Sequence, residues 1–279
     1  MKVFASDLDG TLLNKDYQSD ERIHACIQNV VEHGHPFVIV TGRTIHGIAN
    51  LDFVKYASYI IVMNGAVILD RNFNVLHATA IDADILKTIY DTYRYDNVEY
   101  ISDQYIYMAI SKERYLKEYA KWELWQKKMS SQQLDYFLSI YKFDCRLEDL
   151  QNIVKINILE MDSIKYKEKE HYILNFQESL NNQPFDLHVL ELTSKNISKL
   201  NALKYLCDAN HWLEDDCYIF GDGGNDVEML QYFKHTYTPE NATSEAKNAA
   251  KEIIESNSDY GVCKKMLSLI DNEIRNKTL

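Results

Sequence analysis

Four short apolar runs in this chain stop abruptly at polar punctuation. Val3–Ala5 runs into Ser6-Asp7-Leu8-Asp9-Gly10, and Pro36–Val40 (PFVIV) into Thr41-Gly42-Arg43. Tyr59–Met63 ends at Asn64-Gly65, and Cys217–Phe220 (CYIF) at Gly221-Asp222-Gly223-Gly224-Asn225-Asp226. Each run has strand length and is apolar throughout, so both of its faces must be covered. Between the first two lies Asp20–Glu32, whose Ile23, Cys26, Ile27, Val30 and Val31 fall on one helical face. Strands apolar on both faces and separated by helices fit a parallel sheet with helices on either side, the doubly wound α/β class. Ligands bind at the carboxyl ends of such strands, which is where the polar clusters sit.

The rhythm breaks in the middle of the chain. Ile81–Tyr95 and Ser111–Met129 read as helices, whereas Tyr105–Ile110, Val154–Leu159 and Asp186–Leu192 alternate as strands of a half-buried antiparallel sheet do. Lys165–Glu170 is a mixed-charge run that reads as the solvated start of a helix. The first pattern then resumes: Lys199–Asp208 helical, Cys217–Phe220 a strand, Asp226–Phe233 a helix, Ile253–Ser256 a last strand and Tyr260–Ile274 a closing helix. The expected organisation is a Rossmann-like core of residues 1–80 and 191–279, with an α+β domain of residues 81–190 inserted into it.

Composition narrows the partners. The net charge of -12 opposes binding to a nucleic-acid backbone. No apolar run approaches the roughly 20 residues of a membrane span, and MKVFASDLDG lacks the apolar stretch of a secretory leader. The cysteines Cys26, Cys145, Cys207, Cys217 and Cys263 are odd in number and show no Cys-x-x-Cys spacing, as expected of reduced thiols in the cytoplasm. No helical His-x-x-x-His pair occurs, and His33 and His35 flank Gly34 in what reads as a turn before a strand.

The segment DLDGTLL, Asp7–Leu13, carries the strongest chemical signal. A phosphate dianion about 4 Å from one carboxylate is repelled by roughly 8 kcal/mol at an effective dielectric of 20. Attack by Asp7 on phosphorus therefore calls for a bridging divalent cation, and carboxylate oxygens suit Mg²⁺. In that reading Asp7 is nucleophile and metal ligand. Asp9 protonates the leaving oxygen and then serves as base for the water that cleaves the acyl phosphate.

DLDGTLL resembles the first motif of the haloacid dehalogenase (HAD) superfamily of phosphohydrolases. The remaining motifs of that family find matches in order. Thr41-Gly42-Arg43 resembles the second, implying phosphate binding by the Thr41 hydroxyl, the Gly42 N–H and Arg43. Lys199 resembles the third-motif lysine, implying neutralisation of phosphate and carboxylates, although Leu200 stands where the family usually has Gly. Gly221–Asp226 resembles GDxxND, implying that Asp222 completes a metal shell with Asp7 and the backbone carbonyl of Asp9. By the same resemblance Asn225 orients the phosphate or a water, and Asp226 holds Lys199 or a water behind the ligands.

An insertion after the third strand resembles the Cof-like branch, whose α/β cap covers the active site. The resemblance implies a cytoplasmic, Mg²⁺-dependent phosphatase acting through an aspartyl-phosphate. Its substrates would be small phosphorylated metabolites: sugar phosphates, nucleotides, flavin mononucleotide or pyridoxal phosphate. Two alternatives share the motifs: a phosphosugar mutase with the same intermediate, and a non-catalytic sensor of phosphorylated metabolites. Tyr105, Tyr107, Trp122 and Trp125 could stack on a substrate ring, although aromatic residues at helical spacing are more often core. Neither substrate nor oligomeric state is legible in the pattern.

Overall fold

The structure is a computed structural model that describes residues 1–118, 135, 138–182 and 188–277, with side chains to 271. Contacts divide the chain into two compact units, Met1–Ala78 with Ile197–Leu279 and, between them, Thr79–Asn196.

The first unit is built on an eight-stranded sheet. Its strands are β1 (Val3–Ser6), β2 (Phe37–Val40), β3 (Tyr59–Val62), β4 (Val67–Asp70), β5 (Val75–Ala78), β12 (Cys217–Phe220), β13 (His235–Pro239) and β14 (Glu252–Ile254). They lie in the order β14-β13-β12-β1-β2-β3-β4-β5. Neighbours from β14 to β3 run parallel. The expected parallel sheet is thus extended by two strands that the sequence reading leaves out: β4 pairs antiparallel to β3, and β5 antiparallel to β4. A chain reversal at Asn64, with φ 56°, turns β3 straight back into β4. β13 also escapes the sequence reading, because HTYTP is polar and ends in proline.

Helices flank this sheet: α1 (Glu21–Glu32), the short α2 (Ile45–Ile48), α6 (Lys199–Asn210), α7 (Val227–Tyr232), α8 (Ser244–Ala249) and α9 (Gly261–Lys277). Val3, Ala5, Val38, Val40, Ile61 and Ile219 of the strands pack against Leu203 and Leu206 of α6, Met229 and Leu230 of α7, and Ala246 of α8. Helix α1 packs on α9 and on β2. Side-chain caps set the helix starts. Asp20 accepts from the N–H groups of Arg22 and Ile23 ahead of α1, and Ser198 accepts from that of Asn201 ahead of α6. The second cap matters more, because it places Lys199 on the first turn of α6.

The second unit holds β6 (Asn97–Ile101), β7 (Ile106–Tyr107), β8 (Tyr141–Lys142), β9 (Lys155–Leu159), β10 (Leu180–Asn182) and β11 (Val189–Ser194), with helices α3 (Ala83–Tyr93), α4 (Lys112–Glu118) and α5 (Ser163–Ile173). The strand order is β10-β11-β9-β6-β7-β8, antiparallel except for the β7–β8 pair. Residues 191–194, grouped with the core in the sequence reading, belong to β11 of this sheet. One face carries Val98, Tyr100, Ile156, Ile158, Leu190 and Leu192, packed with Leu86, Ile89, Tyr90 and Tyr93 of α3 and Ile173 of α5.

The opposite face is polar, yet it is buried rather than solvated: Asn97, Glu99, Lys155, Asn157, Glu191 and Thr193 are at most 9% exposed. Lys169, read as part of a solvated run, is buried too, with its ammonium 2.9 Å from both Asp96 and Glu160. Only Ile106 and Tyr107 of the Tyr105–Ile110 stretch form a strand. The expected helix beyond residue 118, Trp122, Trp125, and Asp186 of the expected third strand lie outside the described residues.

Replacing the cap, Ser198→Ala, leaves the Asn201 N–H without its partner. The expected loss is about 1 kcal/mol of folding stability, measured by urea denaturation; an unchanged midpoint would contradict the capping role.

Candidate active site

The carboxyl ends of the adjacent strands β1 and β12 bring acids from opposite ends of the chain together. Asp7 follows β1, and its N–H donates to the Phe220 carbonyl at 3.0 Å, carrying the β1–β12 pairing past the strand end. One oxygen from each of Asp7, Asp222 and Asp226 lies within 4.8 Å of the others. Two unit charges at that spacing repel by roughly 3 kcal/mol at an effective dielectric of 20, so the cluster needs compensating charge.

Lys199 supplies part of it. The ammonium is buried, 2.9 Å from Asp7 Oδ1 and 2.8 Å from Asp226 Oδ1. Burial works against its charge, but Asp226 and Asp7 outweigh that and hold its pKa above that of an ordinary lysine. Asp226 is fully committed: its second oxygen accepts the N–H groups of Asp222 and Gly223, each at 2.9 Å. That leaves Asp7 and Asp222 as the carboxylates with lone pairs to offer. Burial, and the like charges of Asp226 and Asp222, push the Asp7 pKa well up despite Lys199. Burial likewise raises Asp222 to about 6. Three carboxylates facing one ammonium leave an excess of negative charge that a divalent cation with hard oxygen preference would neutralise. The residues present therefore fit such an ion, held by Asp7 and Asp222 with Asp226 behind them.

Local backbone makes the approach possible. Gly10 has φ +74°, and a Cβ there would stand 2.3 Å from Asp222 Oδ2. Thr11 Oγ1 donates to Asp222 Oδ1 at 2.6 Å, and the Thr243 N–H donates to the Asp222 carbonyl at 3.0 Å. The loop after β1 thus grips the loop after β12.

The other expected residues form a second tier. Asp9 does not join the acidic cluster. Both of its oxygens are held by Arg43, whose Nε donates at 2.7 Å and a terminal nitrogen at 2.5 Å. The Asp9 side chain is 38% exposed, so this pair sits at the rim. Thr41 is buried at the end of β2, and its Oγ1 accepts the Arg43 N–H at 3.1 Å, which leaves the hydroxyl proton for another acceptor. Asn225 Nδ2 donates to Asn64 Oδ1 at 3.0 Å. That same Asn64 oxygen would lie 2.9 Å from a Cβ on Gly42, so the space beside Gly42 is taken by Asn64.

Sequence reasoning passed over Thr11 and Asn64 as functional groups. Thr11 lay inside the first acidic motif, and its small hydroxyl next to Gly10 was the available signal. Asn64 read only as a turn residue, and nothing local marked it as a partner of Asn225.

Known proteins resemble the chain along nearly its whole length. The family described as haloacid dehalogenase-like hydrolase matches residues 4–266. The 5-amino-6-(5-phospho-D-ribitylamino)uracil phosphatase YwtE of Bacillus subtilis is 27% identical over 278 residues, covering 94% of this chain and 96% of the relative. A second Bacillus subtilis phosphatase described in the same words, YcsE, is 24% identical, with 95% and 94% covered. Among solved structures, a haloacid dehalogenase-like hydrolase from Bacteroides thetaiotaomicron superposes with a TM-score of 0.79 at 21% identity, covering 96% of this chain and 99% of its own. A HAD/COF-like hydrolase from Plasmodium vivax gives 0.76 at 20% identity, with 97% and 96% covered.

The raised Asp222 pKa has a measurable consequence. In the presence of a chelator the folded state binds the Asp222 proton more tightly than the unfolded state, whose carboxyl titrates near 3.8. This group therefore lowers stability progressively as pH rises from about 4 to about 6, and the loss levels off above that. The stability of wild type relative to Asp222→Asn should decline across that window in EDTA, and added Mg²⁺ should offset the decline. A difference that stays flat with pH would contradict the assignment.

Proposed function

The chain belongs to the haloacid dehalogenase-like hydrolases, and we propose that it is a phosphatase of their Cof-like branch, a Mg²⁺-dependent monoesterase that works through an aspartyl-phosphate on Asp7. The observation that carries this reading is the cluster of Asp7, Asp222 and Asp226, in which a single ammonium is shared by Asp7 and Asp226 and none contacts Asp222 among the described residues. When bound between Asp7 and Asp222, Mg²⁺ would supply Lewis-acid charge that lets a phosphate dianion approach a carboxylate.

The chain's own residues do the rest. Lys199 occupies Oδ1 of Asp7 and so orients the carboxylate, with the other oxygen assigned to attack. The Thr41 hydroxyl and the Gly42 N–H donate to the non-bridging phosphoryl oxygens without adding charge. Asn225, steadied by Asn64, lines the same cradle. In the first step Asp7 bonds to phosphorus, the ester P–O bond breaks, and Asp9 gives its proton to the leaving alcohol. In the second, water attacks phosphorus, Asp9 takes the water's proton, and the bond to Asp7 breaks to release phosphate.

Arg43 would act before both steps. With both Asp9 oxygens in its fork, it holds the acid at the rim, and Asp9 must free one oxygen to reach the leaving group. The substrates we assign are phosphate monoesters of small metabolites, in the cytoplasm, with the second unit as the cap that selects among them. No helix among the described residues is long and apolar enough to cross a membrane.

Asp7→Asn should abolish hydrolysis of p-nitrophenyl phosphate while the protein keeps its melting midpoint within a few degrees; retained turnover would remove Asp7 as nucleophile. Asp9→Asn should slow turnover by about 10²–10⁴-fold, the range of acid–base catalysis, and wild-type rates would refute its role. EDTA should silence the enzyme and Mg²⁺ restore it, whereas full activity in chelator would exclude the metal.

A further inference from the structure

The turn that follows Asp7 is held from outside by residues that the mechanism above does not use. It closes with a hydrogen bond from the Leu13 N–H to the Leu8 carbonyl at 2.9 Å. The carbonyls of Gly10 and Leu13 are taken by side chains from two distant loops. Asn241, in the loop between β13 and α8, donates from Nδ2 to the Gly10 carbonyl at 2.7 Å. Asn257, between β14 and α9, donates from Nδ2 to the Leu13 carbonyl at 3.0 Å. The two asparagines are themselves joined: Asn241 Oδ1 accepts the Asn257 N–H at 3.0 Å, with the Ser256 hydroxyl 3.2 Å away. Turning the Asn241 amide over would set oxygen against the Gly10 carbonyl and nitrogen against the Asn257 N–H, so both ends fix its orientation.

The same loop reaches the acid cluster. Two residues beyond Asn241, the Thr243 N–H donates to the Asp222 carbonyl at 3.0 Å. Thr11 Oγ1 completes a triangle by donating to Asp222 Oδ1 at 2.6 Å. The loops after β1, β12 and β13 are thereby tied together, and the Asn241 side of the triangle is the one made by an exposed side chain. An asparagine that served stability alone could grip any carbonyl of the turn. This one grips the carbonyl between Asp9 and Thr11, so a shift there carries with it the hydroxyl that orients Asp222.

We propose that Asn241 is a positioning residue: by holding the Gly10 carbonyl it fixes the turn from which Thr11 orients Asp222 toward a divalent cation. The role rests on the metal site of the phosphatase reading above.

The full chain gives two readouts, Mg²⁺ binding without substrate by isothermal titration calorimetry, and turnover of p-nitrophenyl phosphate against Mg²⁺ concentration. Asn241→Ala removes the grip and leaves water in an exposed place, so the protein should fold. Groups behind metal ligands are worth about 10- to 100-fold in affinity, and for one acting through Thr11 the Mg²⁺ Kd should rise about tenfold. At saturating Mg²⁺ kcat should stay within about threefold, because excess ion refills the site. Thr11→Val alone should also weaken Mg²⁺ binding about tenfold. Adding Asn241→Ala to it should cost less than about twofold more, since both act through one hydrogen bond. An Asn241→Ala protein that melts lower yet keeps its Mg²⁺ Kd would overturn the proposal and leave the asparagine to the fold. Losses that multiply to about a hundredfold in the double variant would overturn it as well. If the wild type binds Mg²⁺ but hydrolyses nothing, and Asn241→Ala still binds the ion more weakly, the phosphatase reading fails and the positioning of Asp222 stands. If the wild type is active with Mg²⁺ and Asn241→Ala matches it in both readouts, the positioning fails alone. A wild type that neither binds Mg²⁺ nor hydrolyses the ester sinks both.

Discussion

One buried ammonium makes the rest of the first unit possible. Lys199, on the first turn of α6, contacts Asp7 after β1 and Asp226 after β12. Two segments from opposite ends of the chain converge on it, and they and α6 each bring constraints of their own. The Ser198 cap sets where α6 begins, Asp226 turns its second oxygen to the backbone of its own loop, and Gly10 clears space for Asp222. Without that positive charge, neighbouring parallel strands could not both end in buried acids. With it, three acids face one ammonium and an excess of negative charge remains; burial foremost, and then the neighbouring acids, raise the pKa values of Asp7 and Asp222. That excess is the physical reason for expecting a cation.

Much of this was legible from pattern. Strands apolar on both faces, with acids where they stop, implied parallel neighbours and a shared edge, and β1, β2, β3 and β12 fall where the apolar runs are. Lys199 was singled out by its resemblance to the family's third-motif lysine near a helix start, despite Leu200 where that family usually has Gly. The strands that escaped were those whose burial depends on neighbours rather than on their own residues. HTYTP of β13 is polar by composition but lies between two other parallel strands, and β4 and β5 follow a reversal at Asn64-Gly65, where Met63, Asn64 and Gly65 all take positive φ.

The site was less legible than the fold, because a residue's partner is set by three-dimensional proximity. Arg43 was expected to face phosphate, and the structure places its fork on Asp9. Asn225 and Asn64 are 161 residues apart and meet through one hydrogen bond. In the second unit, alternation separated the polar from the apolar face of the sheet, but it could not tell whether the polar face meets water. Lys169, in a run that read as solvated, is buried and paired, and so are Lys155 and Glu191 of the polar face. A polar face that is buried and incompletely paired is an unusual arrangement for a protein interior, and it is where this chain differs most from what pattern alone suggests.

The most direct test of the central claim is chemical capture of the covalent intermediate. Borohydride added during turnover of p-nitrophenyl phosphate with Mg²⁺ reduces an acyl phosphate to an alcohol, and peptide mass spectrometry then locates the altered residue. The account predicts homoserine at position 7 and unaltered Asp9, Asp222 and Asp226. Sustained turnover with Asp7 unmodified, or reduction at one of the other three acids, would contradict it.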